Sequence, residues 1–134
     1  MRNEMLYGLI RKTAMGYFDK AFVESFISAI EKWGEVSRKW FFQVIQKNNK
    51  PTLEFSCVTD HVVVDATASI GSMIVTAGRL SAFQSAIIAE TNNSTELRLL
   101  IDISMTYNYL AVTEESRKQL REYTAFLESA IFGG

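Results

Sequence analysis

The fold is decided by residues 95–110, whose sequence is TELRLLIDISMTYNYL. Apolar or aromatic side chains stand at every odd position from Leu97 to Tyr109, and the even positions between them are polar or charged apart from Leu100. Successive side chains of a β-strand point to opposite faces of the sheet, so a strict period of two indicates a half-buried strand. The stretch therefore predicts one long strand with a single apolar face.

The segments before this strand carry the same period of two. Residues 36–44 and 53–57 alternate apolar and polar side chains on either side of the turn sequence Asn48-Asn49-Lys50-Pro51, which predicts a hairpin. The valine-rich run at 61–68 and the run at 73–77 predict a third and a fourth strand. Residues 79–90 fit both a helical stripe and a strand face, and the turn residues that follow them favour a strand.

Helices are predicted at both ends of the chain. Apolar side chains recur at helical spacing through residues 6–17 and again through 22–33, but the second stripe lies about half a turn around the axis from the first. One straight helix cannot bury both stripes, so we expect a break or kink near residues 16–19, with Asp19 as an N-cap. The last helix is expected to begin at Thr113, because two glutamates follow this N-cap residue and favour the positive helix end.

Together these elements predict an α+β fold. We expect an antiparallel meander sheet of about five or six strands, flanked by the broken N-terminal helix and by the C-terminal helix. The length of 134 residues is typical of one domain, so residues 1–134 are assigned to a single domain. Hydrophobic residues make up 48% of the chain and charged residues 22%, a composition that excludes the intrinsically disordered class.

Composition and charge also bound the setting in which the protein acts. Cys57 is the only cysteine, so no disulfide can form within the chain. The apolar run at residues 5–10 is too short for a signal peptide or a membrane span, and we therefore expect a cytoplasmic protein without membrane association. Residues 1–50 carry nine basic and five acidic residues and the remainder five and ten. This asymmetry can orient a partner, but the net charge of −1 does not favour nucleic-acid binding.

The sequence contains no catalytic, metal-binding or cofactor-binding signature. His61 is the only histidine, and Asp65 would lie about 13 Å from it along an extended strand, beyond hydrogen-bond reach. Cys57 shares a strand face with Leu53 and Phe55, which predicts a buried and unreactive thiol. One cysteine and one histidine are too few for a zinc site, and the glycines fit no phosphate-binding loop. We expect no catalytic residue, no metal and no cofactor.

The most informative irregularity is a set of apolar side chains on the sheet face opposite the main core stripe: Phe41, Ile45, Val63 and Leu100. An apolar patch on an outer face is disfavoured in water, and a second subunit or a ligand would cover it. This pattern predicts a non-enzymatic homodimer that binds a partner protein or peptide. The competing interpretation is that the broken first helix crosses the same face.

Two other function classes stay open. In a cavity protein, the curved sheet and the helices would enclose a small apolar ligand, as in a carrier or a weak acid–base enzyme. The residues expected to line or anchor that ligand are Trp40, His61, Asp65, Asp102, Tyr107 and Tyr109. The third class is single-stranded nucleic-acid binding, in which the basic and aromatic residues at 38–42 would offer Phe41 as a stacking platform. The near-neutral charge makes nucleic acid an unfavoured partner.

Overall fold

The computed structural model describes residues 3–34, 36–102 and 105–133. The helices and strands follow one another in this order: α1 (Glu4–Ala14), α2 (Lys20–Glu31), β1 (Lys39–Lys47), β2 (Lys50–Val58), β3 (Val62–Ser69), β4 (Ser72–Arg79), β5 (Ser85–Glu90), β6 (Thr95–Asp102), β7 (Met105–Ala111) and α3 (Glu114–Phe132). A short 3₁₀ turn, Leu80–Ala82, precedes β5. The α+β class and the helices at both ends are confirmed.

The strands form two antiparallel sheets. One sheet contains four strands in the order β1-β2-β3-β4, and the other contains three in the order β5-β6-β7. The expected single meander of about five or six strands is therefore imprecise, because the described residues form seven strands in two separate meanders. The chain divides into two compact units, Met1–Ala77 and Gly78–Gly134. The assignment of residues 1–134 to one domain stays a prediction.

The long strand predicted through Tyr109 is in fact two strands, β6 and β7, which pair with each other. Leu97 lies opposite Tyr109, and Leu99 lies opposite Tyr107. Both pairs join odd-numbered residues, so Leu97 and Leu99 share a face with Tyr107 and Tyr109, and the register shifts only nearer the turn, between Leu100 and Asp102. The alternating pattern of apolar and polar residues therefore does not indicate that the chain turns between β6 and β7. Residues 103–104, between the two strands, lie outside the described residues.

In the first unit, α1 and α2 pack on one face of the four-stranded sheet. The break predicted near residues 16–19 is confirmed, since α1 ends at Ala14 and the Asp19 side chain caps α2 by accepting a 2.8 Å hydrogen bond from the Phe22 N–H. The apolar side chains of both helices and of the sheet form one core, whose most buried members include Leu6, Ile10, Val23, Phe26, Leu53 and Phe55. This core fixes which sheet face is covered by helices.

The first hairpin has the predicted turn. Lys47 pairs with Lys50 across it, and the two residues between them, Asn48 and Asn49, have φ angles of 54° and 64°. Positive φ at both central residues matches the right-handed twist of the flanking strands, and asparagine tolerates this conformation better than most residues. The turn therefore fixes the register of β1 against β2.

In the second unit, α3 packs on the three-stranded sheet. Its N-cap is Thr113, as predicted: the Thr113 side chain accepts from the Ser116 N–H, and the Ser116 hydroxyl accepts from the Thr113 N–H. The buried side of the helix and the buried side of the sheet form the core of this unit, which includes Leu97, Leu99, Tyr109, Leu120, Tyr123 and Leu127. In the part of this unit that the structure describes, α3 is the only α-helix, so the opposite, outer face of the sheet has no α-helix of its own unit.

Candidate functional site

The predicted sheet-face patch is divided between the two units. Phe41, Ile45 and Val63 share the face of the first sheet opposite α1 and α2, whereas Leu100 lies on β6 in the second unit. Phe41 and Val63 are fully buried, and Ile45 and Leu100 are half-buried. Since α1 and α2 lie on the other face, the first helix does not cross this one. The buried ring of Phe41 also offers no surface on which a base could stack.

The face that carries Phe41 also holds a buried carboxylate. Gln43 and Glu54 lie opposite each other in β1 and β2, and the Gln43 amide donates to Glu54 Oε1 at 2.8 Å. Lys47 Nζ lies 2.7 Å from the other oxygen, Oε2. The Glu54 side chain is only 3% exposed, while the Lys47 side chain is half exposed. Sequence reasoning missed this network because a polar residue at every second strand position is normally a solvent-facing one.

The predicted cavity residues of the first unit do not share one site. Trp40 packs against the core on the helix-covered face, and Asp65 is buried on the opposite face. His61 is exposed in the turn between β2 and β3, where its backbone N–H donates to Thr59 Oγ1 at 3.2 Å. A ligand that contacted Trp40 and Asp65 together would have to pass through the sheet.

The remaining cavity residues belong to the second unit. Tyr107 is half-buried and Tyr109 is buried, both on the side of the sheet that faces α3. The side chain of Asp102 lies outside the described residues. The two tyrosines therefore contribute to the packing under α3, and as ligand contacts they stay a prediction.

The first unit contains a small cavity and an open surface groove. The first is lined by residues that include Tyr7, Ile30 and Cys57 and has a volume of 10 Å³, about enough for one water molecule. The second is an open surface groove of 370 Å³ between α1 and α2, spanned by the Arg11–Glu24 ion pair at 2.7 Å. The first is too small for a small-molecule ligand, and three of the four residues that line the second, Arg11, Lys20 and Glu24, are charged.

Cys57 is buried, and its thiol is expected to be unreactive in the folded protein. Burial raises the pKa of the thiol from its ordinary value of 9.0 to about 11, against the opposing effect of a hydrogen bond with Ser37. At pH 8 a thiol-specific chromogenic reagent should modify the native protein very slowly and the urea-unfolded protein completely. Rapid modification of the native protein would contradict this burial.

The same shift sets the direction of a pH effect on stability. Folding raises the pKa of Cys57, so the unfolded state loses its proton at a lower pH than the folded state does. The contribution of this pKa difference to the free energy of unfolding is fully present below pH 9.0 and is lost as the pH rises toward 11. Cys57→Ala should lose less unfolding free energy than the wild type over that interval.

Within the described ranges, no three or more histidine, cysteine, aspartate or glutamate side chains are grouped so that they could hold a metal ion. In the same ranges, no helix combines the length and the apolar character needed to cross a bilayer.

The edge strand β5 presents an apolar surface suited to binding. Ile87 is 46% exposed on the outer face of the three-stranded sheet, and its neighbour Ile88 is 38% exposed on the α3 side. In the part of the chain that the structure describes, β6 is the only strand that pairs with β5. The strand has no charged residue from Ser85 to Ala89. An uncharged apolar edge is a template for pairing with another strand.

Other parts of the second unit hold this edge in place. Arg117 donates to the Thr91 carbonyl at 2.9 Å and to Thr95 Oγ1 at 3.0 Å, which fastens α3 to the β5–β6 hairpin. Arg121 Nε donates to Glu90 Oε1 at 2.7 Å. Hydrogen bonds from the Thr95 hydroxyl and from Arg121 hold the pKa of Glu90 below its usual value. The edge is therefore preorganised, which lowers the entropic cost of binding.

One feature of the sequence indicates this apolar edge. Ala86, Ile87 and Ile88 are consecutive apolar residues, so both faces of a strand formed by them are apolar. Residues 79–90 fit both a helix and a strand pattern, because the 3₁₀ turn occupies the first part of that segment and β5 only the second. The apolar run was therefore not assigned to an exposed edge strand. The preferred strand interpretation is correct for Ser85–Glu90.

Comparison with known proteins does not identify a relative: no family model matches the chain, and no curated protein or solved structure matches it.

Proposed function

We propose that this chain is a non-enzymatic interaction protein of the cytoplasm, which forms a homodimer and binds a partner protein or peptide. The observation that carries the proposal is the exposed apolar edge of β5. Strand addition to such an edge gives affinity through backbone hydrogen bonds and specificity through alternate side chains. By contrast β1, an edge strand of the first sheet, has Lys39 and Lys47 at its ends, a common protection against strand addition.

The chemistry of the individual side chains supports a binding role over a catalytic one. His61 is exposed in a turn and Asp65 is buried, so the acid–base pair considered from the sequence lies in two different environments. Cys57 is buried and its raised pKa keeps the thiol protonated at neutral pH. Its state as a free cysteine supports a reducing compartment.

Sedimentation equilibrium of the purified chain tests the homodimer. The expected mass at micromolar concentrations is twice the chain mass of 15.2 kDa. The mass should fall toward that of a single chain on dilution, with a dissociation constant that does not depend strongly on salt, because the proposed contact is apolar. A concentration-independent mass of one chain would overturn the proposal.

A further inference from the structure

The geometry of the β5–β6 hairpin shows which backbone groups face the open side of β5. The Thr91 N–H donates to the Ser94 carbonyl at 2.9 Å. Hydrogen-bonded and non-hydrogen-bonded pairs alternate along an antiparallel ladder, so Ala89 and Ile87 also direct their N–H and C=O groups toward β6. The backbone groups that point away from β6 are therefore those of Ala86, Ile88 and Glu90.

We infer that a second copy of this chain pairs with that edge, antiparallel, about a two-fold axis that passes through Ile88 perpendicular to the sheet. Ile88 then lies opposite Ile88 of the second copy, and Ala86 lies opposite Glu90 of the second copy, twice by symmetry. Each of these pairs exchanges two backbone hydrogen bonds, so every outward group of the strand has a partner. This inference rests on the proposed function, to which it adds the strand that forms the dimer contact and the register in which the two copies of that strand pair.

Self-complementarity of the strand favours a second copy as the occupant. In this register the apolar residues of the strand face one another, Ile88 opposite Ile88 and Ile87 opposite Ala89. Its only charged side chain, Glu90, faces an alanine in this register. An axis at Glu90 would place the two glutamates opposite each other, which is destabilising. An axis at Ala86 or at Ile87 would use Gln84, whose N–H already donates to the Leu100 carbonyl at 2.9 Å, and an axis at Ala89 would use Asn92, beyond the end of β5.

The position of α3 is compatible with this pairing. The helix packs mainly on β5 and β6, so a strand spacing of about 4.8 Å places the two helix axes roughly 10 to 14 Å apart across the two-fold. Packed helices are about 8 to 10 Å apart, so the copies of α3 do not collide. The residues that share the stripe of Arg121, which reaches Glu90 on β5, are Ala125, Glu128 and Phe132. Phe132 is 54% exposed and would be covered in this gap.

Cysteine cross-linking tests the register. Ile88→Cys places two thiols on directly opposite residues whose Cα atoms are about 5.5 Å apart, which a disulfide can span. Ile87→Cys, one position away, places its thiols on a diagonal of about 7 to 8 Å, beyond that reach. Mild oxidation should convert most of the Ile88→Cys protein to a covalent dimer, whereas the Ile87→Cys protein and the wild type, with its buried Cys57, should stay largely uncross-linked.

A lysine pair provides the second measurement. Ile87 and Leu110 are both 46% exposed on the outer face of edge strands of the same sheet. Ile87→Lys should shift the sedimentation mass to one chain, and Leu110→Lys should leave the dimer intact, with circular dichroism showing that both variants fold.

The outcomes separate the two proposals. If the wild type is a dimer but Ile88→Cys does not cross-link, or Ile87→Cys cross-links equally well, the register is overturned and the homodimer stands. If Ile87→Lys and Leu110→Lys behave alike, β5 is not the contact. A wild-type chain that is monomeric at every concentration overturns the homodimer and its register, even where its β5 edge takes up an extended peptide.

Discussion

Replacing Phe26 with alanine is expected to lower the free energy of unfolding by about 4 kcal/mol. Phe26 is fully buried on α2, and its ring meets Phe55 edge-on, with centroids 6.3 Å apart and planes at 88°. The Phe42 ring lies 6.4 Å away on the neighbouring strand. Truncation removes both aromatic contacts and leaves a cavity between α2 and the sheet, which the rigid hairpin cannot fill by collapsing.

Urea unfolding measures this loss. Tryptophan fluorescence reports on the first unit, because Trp33 and Trp40 are the only tryptophans of the chain. Met5→Ala is the control, because Met5 on α1 is 80% exposed. This substitution should change the free energy of unfolding by less than about 0.5 kcal/mol. A loss for Phe26→Ala similar to that of the control would mean that α2 does not pack on the sheet as described.

The elements that were predictable from the sequence are those fixed by local signals. The helix break follows from two stripes on opposite sides of one axis, and Asp19 is the residue that caps the second helix. The first hairpin follows from two consecutive asparagines, which tolerate positive φ, between alternating segments. At Thr113 the N-cap chemistry alone placed the start of α3. In each case a few neighbouring residues determine the geometry.

The features that could not be predicted depend on pairing between distant residues. Leu97 and Leu99 of β6 share a face with Tyr107 and Tyr109 of β7 just as they would in one straight strand, so alternation cannot distinguish one strand from two. Whether the strands form one sheet or two depends on which edges pair, and no local pattern encodes this. Burial on a sheet face depends on pairing and packing in the same way: Phe41 and Val63 were expected on an outer face and are fully buried, whereas Ile87 and Ile88 of the edge strand β5 are exposed.

The burial of the second face of the first sheet leads to an expected asymmetry between two substitutions. Lys47→Ala should lower the free energy of unfolding by about 2 kcal/mol, because it leaves the Glu54 carboxylate, 3% exposed, with its charge uncompensated. The value lies below the range for fully buried pairs because half of the Lys47 side chain is in solvent. Glu54→Gln should cost less than about 1 kcal/mol, since the amide keeps the volume and an oxygen for the Gln43 bond.

Urea unfolding of four variants tests this asymmetry. Lys50→Ala is the matched control, because Lys50 lies opposite Lys47 at the same turn and is exposed; it should change the stability by less than about 0.5 kcal/mol. The double variant Lys47→Ala/Glu54→Gln should be more stable than Lys47→Ala alone, because it removes the charge that the first substitution leaves buried. If Lys47→Ala behaves like the control, or if Glu54→Gln costs more than Lys47→Ala, then charge compensation is not what holds the carboxylate in the sheet, and hydrogen bonding from Gln43 carries the stabilisation instead.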